Sequence, residues 1–172
     1  MKQRAALLVD NLHLSKWQSD ALEAASDLIE IVVVLNCQNT KTKKQHLKNF
    51  LYYVLYLFAL KNHLTRKSEV SFSNAAIINF ESIYNGAWQS LPSKIYKELE
   101  VGNLDVVIKF GMSLLHLDEG KSLPPILSYH HGDPSKYRGR PAGFYEILNN
   151  EKTTGIIVQS LSNKLDAGEI YA

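Results

Sequence analysis

The chain is 172 residues long, with 45% hydrophobic residues, 21% charged residues and a formal net charge of +2. That length suits one domain with a real core, and the composition excludes a disordered or fibrous chain. So small a charge makes no case for nucleic acid, and a lone cysteine, Cys37, excludes an internal disulfide or a multi-cysteine metal site.

The N-terminus, MKQRAALLVDNLHLSKW, is basic, but its apolar run from Ala5 to Val9 is too short for the core of a signal peptide. Arg4 to Val9 reads as a buried strand, stopped by the turn formers Asp10 and Asn11. Ser15 to Ala25 reads as a helix with Ser15 at its N-cap and Trp17, Ala21, Leu22 and Ala25 on one face. A β-branched run, Ile29 to Leu35, follows as a second strand. Apolar strands alternating with helices predict an α/β domain with a mostly parallel sheet covered on both faces.

Thr42 to Leu64 is predicted as a long helix packed on the sheet. Its greasiest part, Phe50 to Leu60, falls short of the about 20 residues a membrane-crossing helix needs. A soluble, cytoplasmic protein with no membrane partner is therefore expected. EVSFSNAAIINF holds one or two short strands, and GAWQSLP reads as a loop. Ser93 to Leu99 is predicted as a short helix and Leu104 to Gly111 as a strand. Ile126 to His130 is the next strand, Gly143 to Asn149 a helix, and TGIIVQSLS a last strand.

In open α/β sheets chemistry gathers at strand ends, and three segments there carry unusual residues: KFGMSLL, SYHHGDPSKYRG and SLSNKLDAGEI. Side chains alternate along a strand, so Ser128 and His130 share a face while His131 points the other way. A hydroxyl and an imidazole side by side form a small acid–base pair. Asp166, in a glycine-containing loop, offers a carboxylate that fixes an imidazole tautomer and favours its charged form. His130, His131 and Asp133 lack a further His or Cys cluster to complete a metal site, and no metal is expected. Arg138 reads either as a ligand for an anion or as a tie between its loop and backbone carbonyls. Cys37 reads as an unreactive thiol near a strand end.

ILSYHHGDPSKYRG resembles the Asn-x-His, Pro-Ser-Leu-Leu-Pro, Tyr-Arg-Gly stretch of the folate-dependent formyltransferases, and the spacing matches without a gap. TGIIVQSLSNKLDAGEI is similar to that family's Thr-Gly-Val strand and Leu-Asp-x-Gly loop, and VVIKFGMSLL to its pterin-lining strand and turn. The resemblance covers Leu104 to Ala172; over the first half it is architectural. It implies a Rossmann-like domain, Met1 to Ala172, that moves a formyl group from 10-formyltetrahydrofolate to a small-molecule amine, with no nucleic acid involved. By position it makes His130 the catalytic histidine, Asp166 its carboxylate partner and Ser128 the replacement for the usual asparagine. It assigns the pterin to Gly111, Met112, Ser113, Leu114, Leu115 and Leu165.

Asp133, in place of a leucine, puts a carboxylate beside the expected mouth of the site and suits a cationic amine, with Arg138 as a second substrate contact. YRGRPAGFYEIL is closer to the sugar-modifying branch, which implies an amino sugar as acceptor. The first strand lacks the glycine-rich phosphate turn of the glycinamide ribonucleotide branch. The family domain continues with more helix beyond Asp166, so a fragment or a compact variant is expected. Two other readings stay open: a hydrolase releasing formate on the same scaffold, and a binding domain without turnover.

Overall fold

The structure, a computed structural model of the chain, describes residues 1–39, 50, 54, 63–137, 144–164 and 167–172. In chain order, strand β1 (Gln3–Val9) and a short β2 (His13–Ser15) lead into helix α1 (Lys16–Ala24) and strand β3 (Ile29–Cys37). Four strands follow: β4 (Lys67–Glu69), β5 (Ala76–Phe80), β6 (Ile83–Asn85) and β7 (Trp88–Ser90). Helix α2 (Ser93–Val101) precedes β8 (Val106–Lys109), β9 (Leu114–His116) and β10 (Ile126–His131). Helix α3 (Phe144–Leu148) and β11 (Ile156–Ser160) complete the described elements.

The main sheet has the order β11-β10-β8-β1-β3-β5. All its neighbours are parallel except β11, which runs antiparallel to β10. β1 lies at its centre because five successive apolar residues, Ala5 to Val9, supply both faces at once. Ala6 and Leu8 pack with Ile95, Tyr96 and Leu99 of α2; Leu7 and Val9 pack on the other side with Leu14, Val34 and Leu22 of α1. Each such fully buried leucine contributes about 1.5–3 kcal/mol. This is the α/β architecture expected from the alternation of strands and helices.

Ser15 is extended, as an N-cap should be, and its N–H donates to Gln18 Oε1 at 2.8 Å. The predicted strand Leu104 to Gly111 is shorter than its apolar run, because the chain leaves the sheet at Lys109. GAWQSLP is not the loop that its glycine and proline suggest. Trp88–Ser90 forms a hairpin with β6 across Gly86 and Ala87 and pairs in parallel with β9. Most of the predicted helix Thr42 to Leu64 lies outside the described residues; Phe50 and Val54 are helical, and His63–Thr65 is a 3-10 turn. Among the described residues, no helix is long and apolar enough to cross a membrane.

Candidate functional site

The site begins where β1 and β8 end side by side. A Cβ on Gly111 would lie 2.8 Å from the Val9 carbonyl carbon and 2.9 Å from Asp10 Cγ, so only glycine lets the two chain ends approach this closely. The next N–H, that of Met112, donates to Asp10 Oδ1 at 2.8 Å. This bond anchors Met112 at φ 57, a left-handed conformation that costs a non-glycine residue about 1–3 kcal/mol. Met112 is nevertheless fully buried, so the cleft wall that starts here is held in one shape.

That wall, Gly111 to Leu115, faces a second one formed by Leu161, Ser162, Lys164, Ala167 and Gly168. Between them is a cleft of about 670 Å³, within the range of small-molecule sites. Beside the cleft, Asn163 ties the chain after β11 to the chain after β9. Its Oδ1 accepts the Leu117 N–H at 2.7 Å, and its Nδ2 donates to the Leu117 carbonyl at 2.9 Å and to Glu119 Oε1 at 3.1 Å. At the base of the second wall Gly168 lies against the Ser160 carbonyl, too close for any side chain.

The floor is a row of residues in register across the sheet: Ile78, Leu35, Leu8, Lys109, Ser128 and Gln159. Its first three members belong to the apolar core, and its last three line the cleft. Lys109 and Gln159 are only 9% and 8% exposed. Lys109 Nζ donates to the Ser113 carbonyl at 3.3 Å. Gln159 Oε1 is buried without a hydrogen-bond partner, an arrangement that leaves an acceptor for a ligand's N–H.

Ser128 and His130 stand two residues apart on β10 and both open into this cleft. His131 points to the opposite face, where its ring meets Tyr129 edge-on at 4.8 Å and Tyr129 in turn lies against Trp17. Burial, and then the charge of His130, hold the His131 pKa below its ordinary value, while burial raises that of Tyr129.

Of the expected pterin contacts, Gly111, Met112, Ser113, Leu114 and Leu115 all line the cleft. Leu165, Asp166 and Arg138 lie outside the described residues. Asp133 is not part of the cleft lining. Its carboxylate accepts the N–H and the hydroxyl of Ser135, bonds that keep its pKa below the usual carboxylate range and build the turn after β10. Cys37 is buried at the end of β3, with its thiol donating to Asn39 Oδ1. No group of three or more metal-ligating side chains occurs among the described residues.

Sequence reasoning passed over Asp10, Lys109, Gln159 and Asn163. The signals were present for two of them: VVIK and IIVQ each place one long polar side chain in an otherwise apolar strand.

No family model matches the chain. Over 84 residues, 49% of the chain, it is 31% identical to methionyl-tRNA formyltransferase from Lactobacillus acidophilus, of whose length it spans 19%. Glycinamide ribonucleotide transformylase 1 from Symbiobacterium toebii superposes with a TM-score of 0.60 at 14% identity, covering 99% of this chain and 71% of its own. Phosphoribosylglycinamide formyltransferase from Bacillus halodurans gives 0.56 at 16% identity, with 99% and 77% covered. A sugar N-formyltransferase from Shewanella gives 0.54 at 13%, with 98% and 55% covered. The chain thus shares the formyltransferase fold.

Proposed function

We propose that this chain transfers a formyl group from 10-formyltetrahydrofolate to a primary amine. One observation carries the reading: Ser128 and His130 open together into a 670 Å³ cleft walled by Gly111 to Leu115, on a formyltransferase fold. The cleft suits the donor's flat heterocycle, with apolar surface from Met112, Leu114, Leu115 and Leu161 and an unmatched acceptor on Gln159.

In the reaction the amine nitrogen attacks the formyl carbon, and the carbonyl pair moves onto oxygen. Ser128 donates to that oxygen, and His130 takes the proton that the amine loses. When the carbonyl re-forms, the bond to N10 breaks and N10 receives the proton from His130. Asp166 is assigned, by the resemblance of its loop, to hold the imidazolium.

For the acceptor we favour an amino sugar over a nucleotide phosphate. At the helix start after β1, two of the N–H groups a phosphate would use are already taken, that of Ser15 by Gln18 and that of Lys16 by the Arg66 carbonyl. The Tyr137-containing segment, with its likeness to the sugar-modifying branch, supports the same choice.

The test is calorimetric titration with 5-formyltetrahydrofolate, followed by formyl transfer from the 10-formyl donor to a panel of amino sugars. Wild-type protein should bind the folate and transfer, and His130→Ala should keep binding while losing about 10²–10⁴ in rate. Absence of folate binding would remove the reading. Binding without transfer would make the chain a folate-binding domain, and formate release without an amine product would make it a hydrolase.

A further inference from the structure

Asp10 follows the last residue of β1 and is the sole carboxylate among the described residues that line the cleft. The carboxylate expected at the site, that of Asp133, is taken up by Ser135 in its own turn. Two contacts fix where the Asp10 side chain sits. Its Cγ lies 2.9 Å from the place a Cβ would take on Gly111, and its Oδ1 accepts the Met112 N–H at 2.8 Å. The carboxylate is thereby held over the start of the cleft wall. Asp10 is exposed, and among the described residues its Oδ2 has no hydrogen-bond partner and no cation pairs with it.

Strand order sets which end of the cleft this is. The sheet runs β11-β10-β8-β1, so the wall after β11, with Lys164 and the open acceptor of Gln159, stands at one end. Ser128 and His130 on β10 come next, and β1 lies two strands beyond β11's neighbour, about 10 Å from it backbone to backbone. Gly111, at the end of the strand between them, carries no side chain to fill the space. A donor seated between the two walls presents its formyl group to Ser128 and His130. An acceptor reaches that carbon from the β1 side, past Asp10.

We propose that Asp10 determines acceptor specificity and selects an unphosphorylated amino sugar, bound through its ammonium group. The inference rests on the formyl-transfer reading and names the group that recognises the second substrate. The ammonium donates a hydrogen bond to Oδ2, of the stronger kind because both partners carry charge. The nitrogen then releases one proton to solvent and becomes the nucleophile. A second proton passes to His130 during attack and from there to N10 as the donor's bond breaks, so atoms and charge balance. An acceptor with a phosphate beside its amine meets a like charge here, which suppresses its binding.

The test uses the whole chain with 10-formyltetrahydrofolate as donor and three acceptors. They are the best amino sugar of the panel above, the same sugar with a phosphate ester beside the amine, and hydroxylamine, which is uncharged near neutrality. Wild type should prefer the free amino sugar to its ester by at least about tenfold in kcat/KM. Asp10→Asn keeps an Oδ1 for Met112 but puts two N–H donors where Oδ2 stood. It should raise KM for the amino sugar by about 10–10²-fold, the worth of one charged hydrogen bond, with a much smaller change in kcat. The loss with hydroxylamine should be at least about tenfold smaller, and the preference against the phosphate ester should narrow. Calorimetry with 5-formyltetrahydrofolate should show the donor still bound, which separates the hold of Asp10 on the acceptor from its hold on Met112.

An amino-sugar KM within about threefold of wild type in Asp10→Asn would overturn the inference. So would a loss shared equally by both amines and by folate binding, which would make Asp10 an anchor for Met112 alone. Transfer to hydroxylamine with none to any amino sugar would overturn it too. A wild-type chain that fails to bind 5-formyltetrahydrofolate is seen before any substitution and removes the underlying reading as well. Wild-type binding with no transfer to any amine removes the reaction, and its acceptor with it.

Discussion

Asn163 pairs with Leu117 as the backbone of another strand would, accepting its N–H at 2.7 Å and donating to its carbonyl at 2.9 Å. The two residues are 46 positions apart, and their bridge ties the chain after β9 to the chain after β11, beside the cleft. Asn163→Ala removes both bonds and leaves the Leu117 backbone partly buried without them. Stability should fall by about 1–3 kcal/mol, and 5-formyltetrahydrofolate should bind more weakly. Chemical denaturation and calorimetry on the variant check both; unchanged affinity would show that the wall keeps its place without the bridge.

Gln159 makes a contrary pair of effects. Its Oε1 is buried with no partner, so the folded protein carries an unrelieved desolvation cost. Gln159→Leu should raise stability by about 1–3 kcal/mol and weaken folate binding about tenfold, since a ligand N–H loses its acceptor. A variant both less stable and equally tight would refute the assignment.

His131 sets an acid limit. Its pKa is held down in the folded protein, first by burial and then by His130, so the unfolded chain takes up this proton at a higher pH than the folded one does. The contribution of neutral His131 is therefore complete above the ordinary histidine value and is lost as pH falls through the folded pKa. Urea midpoints measured from neutral to mildly acidic pH should decline more steeply in wild type than in His131→Gln. Parallel slopes would count against the assignment.

The central strands were legible because their signal is local. Ala5 to Val9 and Ile29 to Leu35 are unbroken apolar runs, and a strand buried on both faces needs nothing else. The β6–β7 hairpin was passed over although Asn85-Gly86 is a strong turn signal. Each arm is three residues long, and Trp88–Ser90 gains its burial from β9, which lies far along the chain.

The site divides in the same way. Ser128 and His130 could be placed on one face from their spacing alone, and Gly111 to Leu115 were assigned by the resemblance of VVIKFGMSLL, whose strand end was the only mark they left by themselves. Lys109 and Gln159 become neighbours of Ser128 only through register between strands separated by tens of residues, and that register is a property of the assembled sheet. The antiparallel course of β11, after which Leu161, Ser162, Lys164, Ala167 and Gly168 join Gly111 to Leu115 in lining the cleft, leaves no mark in the composition of the strand itself.

The six-residue row across the sheet changes character in a single step, between Leu8 and Lys109. Everything on the Ile78 side is committed to holding the protein together, and everything on the Gln159 side is open to the cleft. Such a sharp partition separates two kinds of tolerance: changes at positions 128 and 159 are felt by whatever occupies the cleft, while the cohesion of the domain rests on residues that those changes never touch.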